Sequence, residues 1–167
     1  EPRISPQGDR VAFTRPDAQI GNRDIWTIDI ARGFAARLTL DPANDWHAVW
    51  APDGKQMAFG SDRGAPEAKP YIKRSLDPIG EEVRLANTET SPTDWSRDGQ
   101  WIATGSDTIT IVPASGDRPS FRFLSQPFRQ GGARFSPDGR WLAYVSNETG
   151  KFEVFVRPFT GGPAAAE

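Results

Sequence analysis

The chain has 167 residues, long enough to bury a core, with 37% hydrophobic residues, 25% charged residues and a net charge of −2. That balance excludes the basic surplus by which a nucleic-acid binder displaces counterions from phosphates. The absence of cysteine excludes disulfides and thiolate metal sites, and apolar runs of only a few residues are too short to span a bilayer. The start, Glu1-Pro2-Arg3, has neither an initiator Met nor the basic-then-apolar pattern of a signal peptide, so a processed or cut end is expected. Sixteen Gly and 15 Pro spread along the chain point to many tight turns, while six Trp and ten Phe favour strands. No apolar period of 3.6 residues persists for three turns, so no long helix is expected.

From the N-terminus, Ile4 precedes the turn Ser5-Pro6-Gln7-Gly8, and strands are expected over residues 9–13, 24–28 and 36–39. The pattern then repeats. Trp50 precedes Ala51-Pro52-Asp53-Gly54, followed by strands at 55–59, 71–73 and 82–85. Trp95 precedes Ser96-Arg97-Asp98-Gly99, with strands at 100–104, 109–112 and 121–124. Phe135 precedes Ser136-Pro137-Asp138-Gly139, with strands at 140–144 and 153–156, and no fourth strand before Gly161-Gly162-Pro163. The turn glycines Gly8, Gly54, Gly99 and Gly139 fall at intervals of 46, 45 and 40 residues.

The chemistry of the unit explains the recurrence. In Pro-Asp-Gly, Pro presets φ, the Asp side chain bonds the backbone ahead of it, and Gly takes the positive φ that closes a hairpin. Ala12, Ala58, Ala103 and Ala143 fall at one place in the second strand, where a small residue lets a neighbouring sheet approach. Four short antiparallel strands per ~40–45 residues is the pattern of a propeller blade, whose sheet buries its faces only by stacking on other blades. The expected fold is therefore all-β, a β-propeller of four blade repeats near residues 1–45, 46–90, 91–130 and 131–167. The last lacks its outer strand, and the whole is expected to be part of a six-bladed or larger ring.

These residues resemble the TolB-type β-propeller repeat, a bacterial relative of the WD-type repeat. Trp50-Ala51-Pro52-Asp53-Gly54-Lys55 with Gly60-Ser61-Asp62-Arg63, and Phe135-Ser136-Pro137-Asp138-Gly139-Arg140 with Val145-Ser146-Asn147, carry the resemblance best. Arg37-Leu38-Thr39 and Asp41-Pro42-Ala43-Asn44-Asp45-Trp46 look like propellers attached to bacterial serine/threonine kinases. Gln7, Ala51 and Arg97 depart from the turn pattern, and the second repeat lacks the acidic residue that opens the third strand elsewhere. The resemblance implies a periplasmic or otherwise extracytoplasmic propeller that binds a protein or ligand. It also allows the gating propeller of a prolyl-oligopeptidase-type peptidase.

Nothing in the sequence assembles a catalytic site. A Gly-x-Ser-x-Gly elbow, a Gly-x-Gly-x-x-Gly motif and a phosphate-binding loop are all missing, and His47 is the single histidine. No enzyme activity and no cofactor are expected of the chain itself. Asp53, Asp98 and Asp138 read as turn residues, and Asp62, Asp107 and Asn147 as loop hydrogen-bond acceptors after the second strand. Asp41, Asn44 and Asp45 could cluster oxygens for calcium, but they read better as a turn.

The expected recognition face carries the longer connections, at residues 41–45, 87–90 and 125–130, together with the loops 62–69 and 147–151. Candidate binding residues on it, or in a central channel, are Asp45, His47, Asp94, Arg129 and Arg134. Arg3, Val49, Asp94 and Arg134 precede the aromatic of each innermost strand, where they would line a channel or bridge adjacent blades. Trp50, Trp95 and Phe135 themselves read as core between blades. A protein or peptide partner is expected, with no nucleic acid and no membrane insertion. Self-association through open propeller ends follows from the unpaired edges and apolar faces left there.

Overall fold

The computed structural model describes residues 1–17, 21–63, 69–73, 76, 79–85, 90–115, 118–124 and 127–163. Every regular element among them is a β-strand, and no helix is long and apolar enough to cross a membrane. The first sheet comprises β1 (Arg3–Ile4), β2 (Arg10–Pro16), β3 (Arg23–Asp29) and β4 (Ala35–Arg37), in that order. The second comprises β5 (Asp45–Trp50), β6 (Met57–Ser61), β7 (Lys69–Lys73) and β8 (Glu82–Arg84). The third holds β9 (Pro92–Trp95), β10 (Trp101–Thr104), β11 (Thr110–Pro113) and β12 (Phe121–Arg122). The fourth has β13 (Gln130–Phe135), β14 (Trp141–Ser146) and β15 (Glu153–Pro158), with no fourth strand among the described residues. All neighbours pair antiparallel, each sheet running in chain order.

The turn chemistry recurs atom for atom. The Gly99 and Gly139 amides donate to the Ser96 and Ser136 carbonyls at 2.9 Å, with φ of +75° and +70°. Asp98 and Asp138 each accept from the amide two residues on, at 3.0 and 3.1 Å, and from the leading serine hydroxyl at 2.6 and 2.5 Å. The departures find their place here. Arg97 leaves the turn unchanged, because serine, aspartate and glycine supply its bonds. Gln7, standing where aspartate is usual, reaches into the neighbouring blade and donates to the Asp53 carbonyl at 2.9 Å.

The outer strands are shorter than the sequence pattern predicts: the ladders end at Arg37, Arg84 and Arg122 rather than at Thr39, Leu85 and Leu124. Leu38, Phe123 and Leu124 turn inward to the core at 1%, 0% and 4% exposure, while the Leu38, Leu85 and Phe123 amides still bond the Ile25, Pro70 and Ile109 carbonyls beside them.

The chain divides into two compact units, Glu1–Ser91 and Pro92–Glu167, each holding two blades. In the first, Ala12, Ile25 and Leu38 pack against Ala48, Trp50, Met57 and Phe59 of the following sheet. The Trp50 indole N–H also donates to the Arg3 carbonyl at 2.9 Å. In the second, Trp101, Ala103 and Ile111 pack against Ala133, Leu142 and Tyr144. Phe159, just beyond β15, folds back onto this core, its ring 5.0 Å from Phe135 and 6.1 Å from Trp101. In both units the small alanine admits a large side chain from the next blade. Burying each such aromatic or aliphatic side chain is worth about 1.5–3 kcal/mol.

Candidate functional site

The innermost strands are not regular. In β5 the pairing with β6 shifts between Trp46 and Val49, and in β13 the pairing with β14 shifts between Gly131 and Arg134. Each shift is a bulge, which bends the strand and re-aims its side chains. Gly132 takes φ of +63° at the second of these, and His47 takes φ of +53° at the equivalent place in the first. His47 is thus an exposed side chain on a left-handed backbone. Although its side chain reaches solvent, partial desolvation by the surrounding chain lowers its pKa below the ordinary histidine value; Glu1 opposes this and Arg3 adds to it.

Asp45 stands two residues before His47 but belongs to a different environment. It is fully buried, and both its oxygens accept from one Arg63 nitrogen at 3.1 and 3.0 Å. Arg63 also donates to Glu82 at 2.6 Å and to the Ser61 hydroxyl at 2.9 Å, lies 4.0 Å from Asp41, and stacks over Tyr71 at 4.7 Å. Burial pushes the Asp45 carboxyl up, against the Ser61 hydrogen bond and the Arg63 charge. The oxygens that could have gathered around calcium here converge on a guanidinium instead. Asn44 faces elsewhere, bonding both oxygens of Asp62 at 2.7 and 2.8 Å. The first sheet has a counterpart: Arg37 donates to the buried Asp24 at 2.9 Å and to the Thr39 carbonyl at 2.9 Å.

Asp94 and Arg134 lie on the seam between neighbouring innermost strands. The Phe135 amide donates to Asp94 at 2.8 Å, and Arg134 donates to the Thr93 carbonyl. Their polar ends tie β9 to β13. Val49, at the same register position, is buried at 6% exposure.

Arg129, like His47, is exposed, whereas Asp45, Asp94 and Arg134 are buried or half-buried. Its backbone is clasped by Asn147, which accepts the Arg129 amide at 2.9 Å while donating its own amide to the Arg129 carbonyl at 3.3 Å. Asn44 and Asp62 form the equivalent clasp in the second blade. The loop is therefore held while its side chain stays exposed: Arg129 is 67% exposed, bonds Asp107 at 2.6 Å and lies 5.9 Å from the Phe152 ring. Phe128 and Phe152 are exposed beside it at 38% and 59%. Sequence reading singled out Arg129 but missed the two phenylalanines, because neither falls at a repeated position. It also missed Arg63, although a carboxylate opening a strand of buried residues demands a cationic partner. Residues 86–89, 125–126 and 64–68, within three of the expected recognition loops, lie outside the described residues.

Comparison with known proteins agrees with this architecture. The chain is 24% identical over 153 residues to the uncharacterized peptidase YuxL of Bacillus subtilis, covering 89% of the chain and 22% of that protein. Among solved structures it resembles TolB from Acinetobacter baumannii, with a TM-score of 0.70 and 24% identity over 94% of the chain and 40% of the TolB chain. It also resembles the β-propeller domain of the Trilobed protease from Pyrococcus furiosus, with a TM-score of 0.66 and 17% identity over 98% and 56% of the two chains. The chain thus spans well under two thirds of each of these relatives. The sequence profile of the TolB beta propeller domain matches residues 1–157, taking in all four repeats, and the chain belongs to that family.

Proposed function

We propose that the chain is a non-catalytic binding segment of a propeller, offering the face that carries Arg129 to a protein or peptide partner. The observation that supports this most is the exposed cluster of Arg129, Phe128 and Phe152 on a loop clasped by Asn147. Arginine and large aromatics dominate the energetics of protein interfaces, and a clasped loop loses little further entropy on binding. The extracytoplasmic location implied by the TolB resemblance belongs to the same reading.

A photo-crosslinking amino acid at position 129, in cells producing the protein, tests it. A discrete adduct that disappears with Phe152→Ala is expected; no adduct at 129, with adducts forming elsewhere on the surface, counts against this face. A second reading, as the gating propeller of a larger peptidase, is favoured by the similarity to YuxL. Peptidase activity of the natural full-length protein, altered by substitutions on this same face, would give it that role.

A further inference from the structure

The residue two places after the turn glycine changes kind between the sheets. In the third sheet it is Trp101, 8% exposed, which packs edge-on against Phe121 and Phe159 at 5.6 and 6.1 Å. In the first sheet it is Arg10, which shares the alanine face of its strand as Trp101 does, Ala12 and Ala103 each standing two residues on. Where the tryptophan fills the seam to the next blade, the arginine leaves an open hollow between the first two sheets. Its volume is about 460 Å³, within the range of ligand-binding clefts.

The turns of the two blades wall this hollow. Gln7 ties them across the seam through its bond to the Asp53 carbonyl, and Leu76, packed on the core beneath, gives the lining an apolar patch. Arg10 lines the hollow from the first blade and Lys55 from the second. Their amides are held, Arg10 by the Ser5 hydroxyl at 3.0 Å and Lys55 by the Asp53 carboxylate at 2.9 Å. Among the described residues, neither the Arg10 guanidinium nor the Lys55 ammonium pairs with a carboxylate. Asp9 and Asp53 also line the hollow, and each commits one oxygen, Asp9 to the Ser5 hydroxyl at 2.7 Å and Asp53 to the Lys55 amide. The second oxygen of each remains able to accept.

These charges select what fits. Two cations and two carboxylates leave the lining without net charge. A single carboxylate can sit on the cations, whereas a doubly charged phosphate meets twice the repulsion from Asp9 and Asp53. The acceptor oxygens call for N–H donors on the same ligand. A peptide with an acidic side chain brings both.

We propose that this hollow binds an acidic peptide segment, its side-chain carboxylate on Arg10 and Lys55 and its backbone N–H groups on Asp9 and Asp53. The bonds to Arg10 and Lys55 are charge-assisted, which makes them the stronger part of the contact.

Isothermal titration calorimetry of the natural full-length protein with a capped tetraglutamate peptide, at low ionic strength, tests this. Binding is expected, and Arg10→Gln and Lys55→Gln should each weaken it about tenfold. Arg10→Trp, which installs the residue of the third sheet, should abolish it by filling the hollow. Phe152→Ala, in the second unit, should leave it unchanged. Lys55 is exposed, so Lys55→Gln reads the site even where an Arg10 variant fails to fold. Absence of binding to the wild type overturns the proposal, and so does equal binding of capped tetraglutamine. Inorganic phosphate binding as tightly, with the same dependence on Arg10, overturns it by making the hollow a general anion site. Binding that survives Lys55→Gln with wild-type circular dichroism, or that is lost in Phe152→Ala, overturns it by placing the peptide elsewhere.

Discussion

At the scale of single residues, His47 is the costliest choice on the inner strands. A left-handed backbone costs a non-glycine residue about 1–2 kcal/mol, and more if it is β-branched. His47→Gly is expected to leave the urea midpoint unchanged or raise it, whereas His47→Val lowers stability by about 1–2 kcal/mol. Gly54 combines two constraints, a φ of +68° and a Cβ position 2.1 Å from the Gln7 side-chain oxygen. Gly139 has the first constraint only, with φ of +70° and open space around it. Gly54→Ala is expected to cost about 0.5–1.5 kcal/mol more than Gly139→Ala, the worth of the displaced Gln7 hydrogen bond, and a Gln7→Ala background should erase the difference. Asp138 offers a pH test. The Ser136 hydroxyl and the Arg140 side chain and amide hold its carboxyl down at about 2. A carboxyl depressed in the folded state adds stability above its ordinary value of 3.8, and that share is lost as pH falls from there through about 2. Carbon-detected NMR titration should find this low value and see it rise in Ser136→Ala. The glycines and aspartates of the turns were legible in the sequence because each acts on its own backbone. The strain at His47 was not, because a bulge depends on how two strands pair.

At the scale of elements, the half-buried arginines Arg37 and Arg63 hold strands and loops to their sheets. Arg63 gathers Asp45 at the start of β5, Ser61 at the end of β6 and Glu82 in β8, so one side chain spans the second sheet. Removing it leaves a buried carboxylate without its countercharge. Arg63→Met is expected to cost about 3–5 kcal/mol, and Asp45→Asn in that background should restore part of it, as a double-mutant cycle by urea unfolding would read. Arg63→Lys should also destabilise, because an ammonium cannot serve these partners with one planar fork. Periodicity and turn motifs placed the strands well and offered Asp45 to a loop face or a central channel, but they did not show its guanidinium partner. Position in the repeat locates a residue along its strand. Whether its carboxylate meets solvent or a guanidinium depends on a residue 18 positions away.

At the scale of the molecule, repetition made the fold readable: four copies of one turn and one alanine specify four sheets before any contact is known. The patch around Arg129 was only half visible, since Phe128 and Phe152 belong to no repeated pattern. The three-stranded fourth sheet has a kinetic consequence. Among the described residues β15 pairs only with β14. In an antiparallel ladder only alternate residues of an edge strand turn their amides toward the neighbour. Deuterium should therefore enter residues 153–157 at two rates, fast and slow by turns, so that the strand's alternation appears in time. A partner strand laid along that edge would merge the two rates into one.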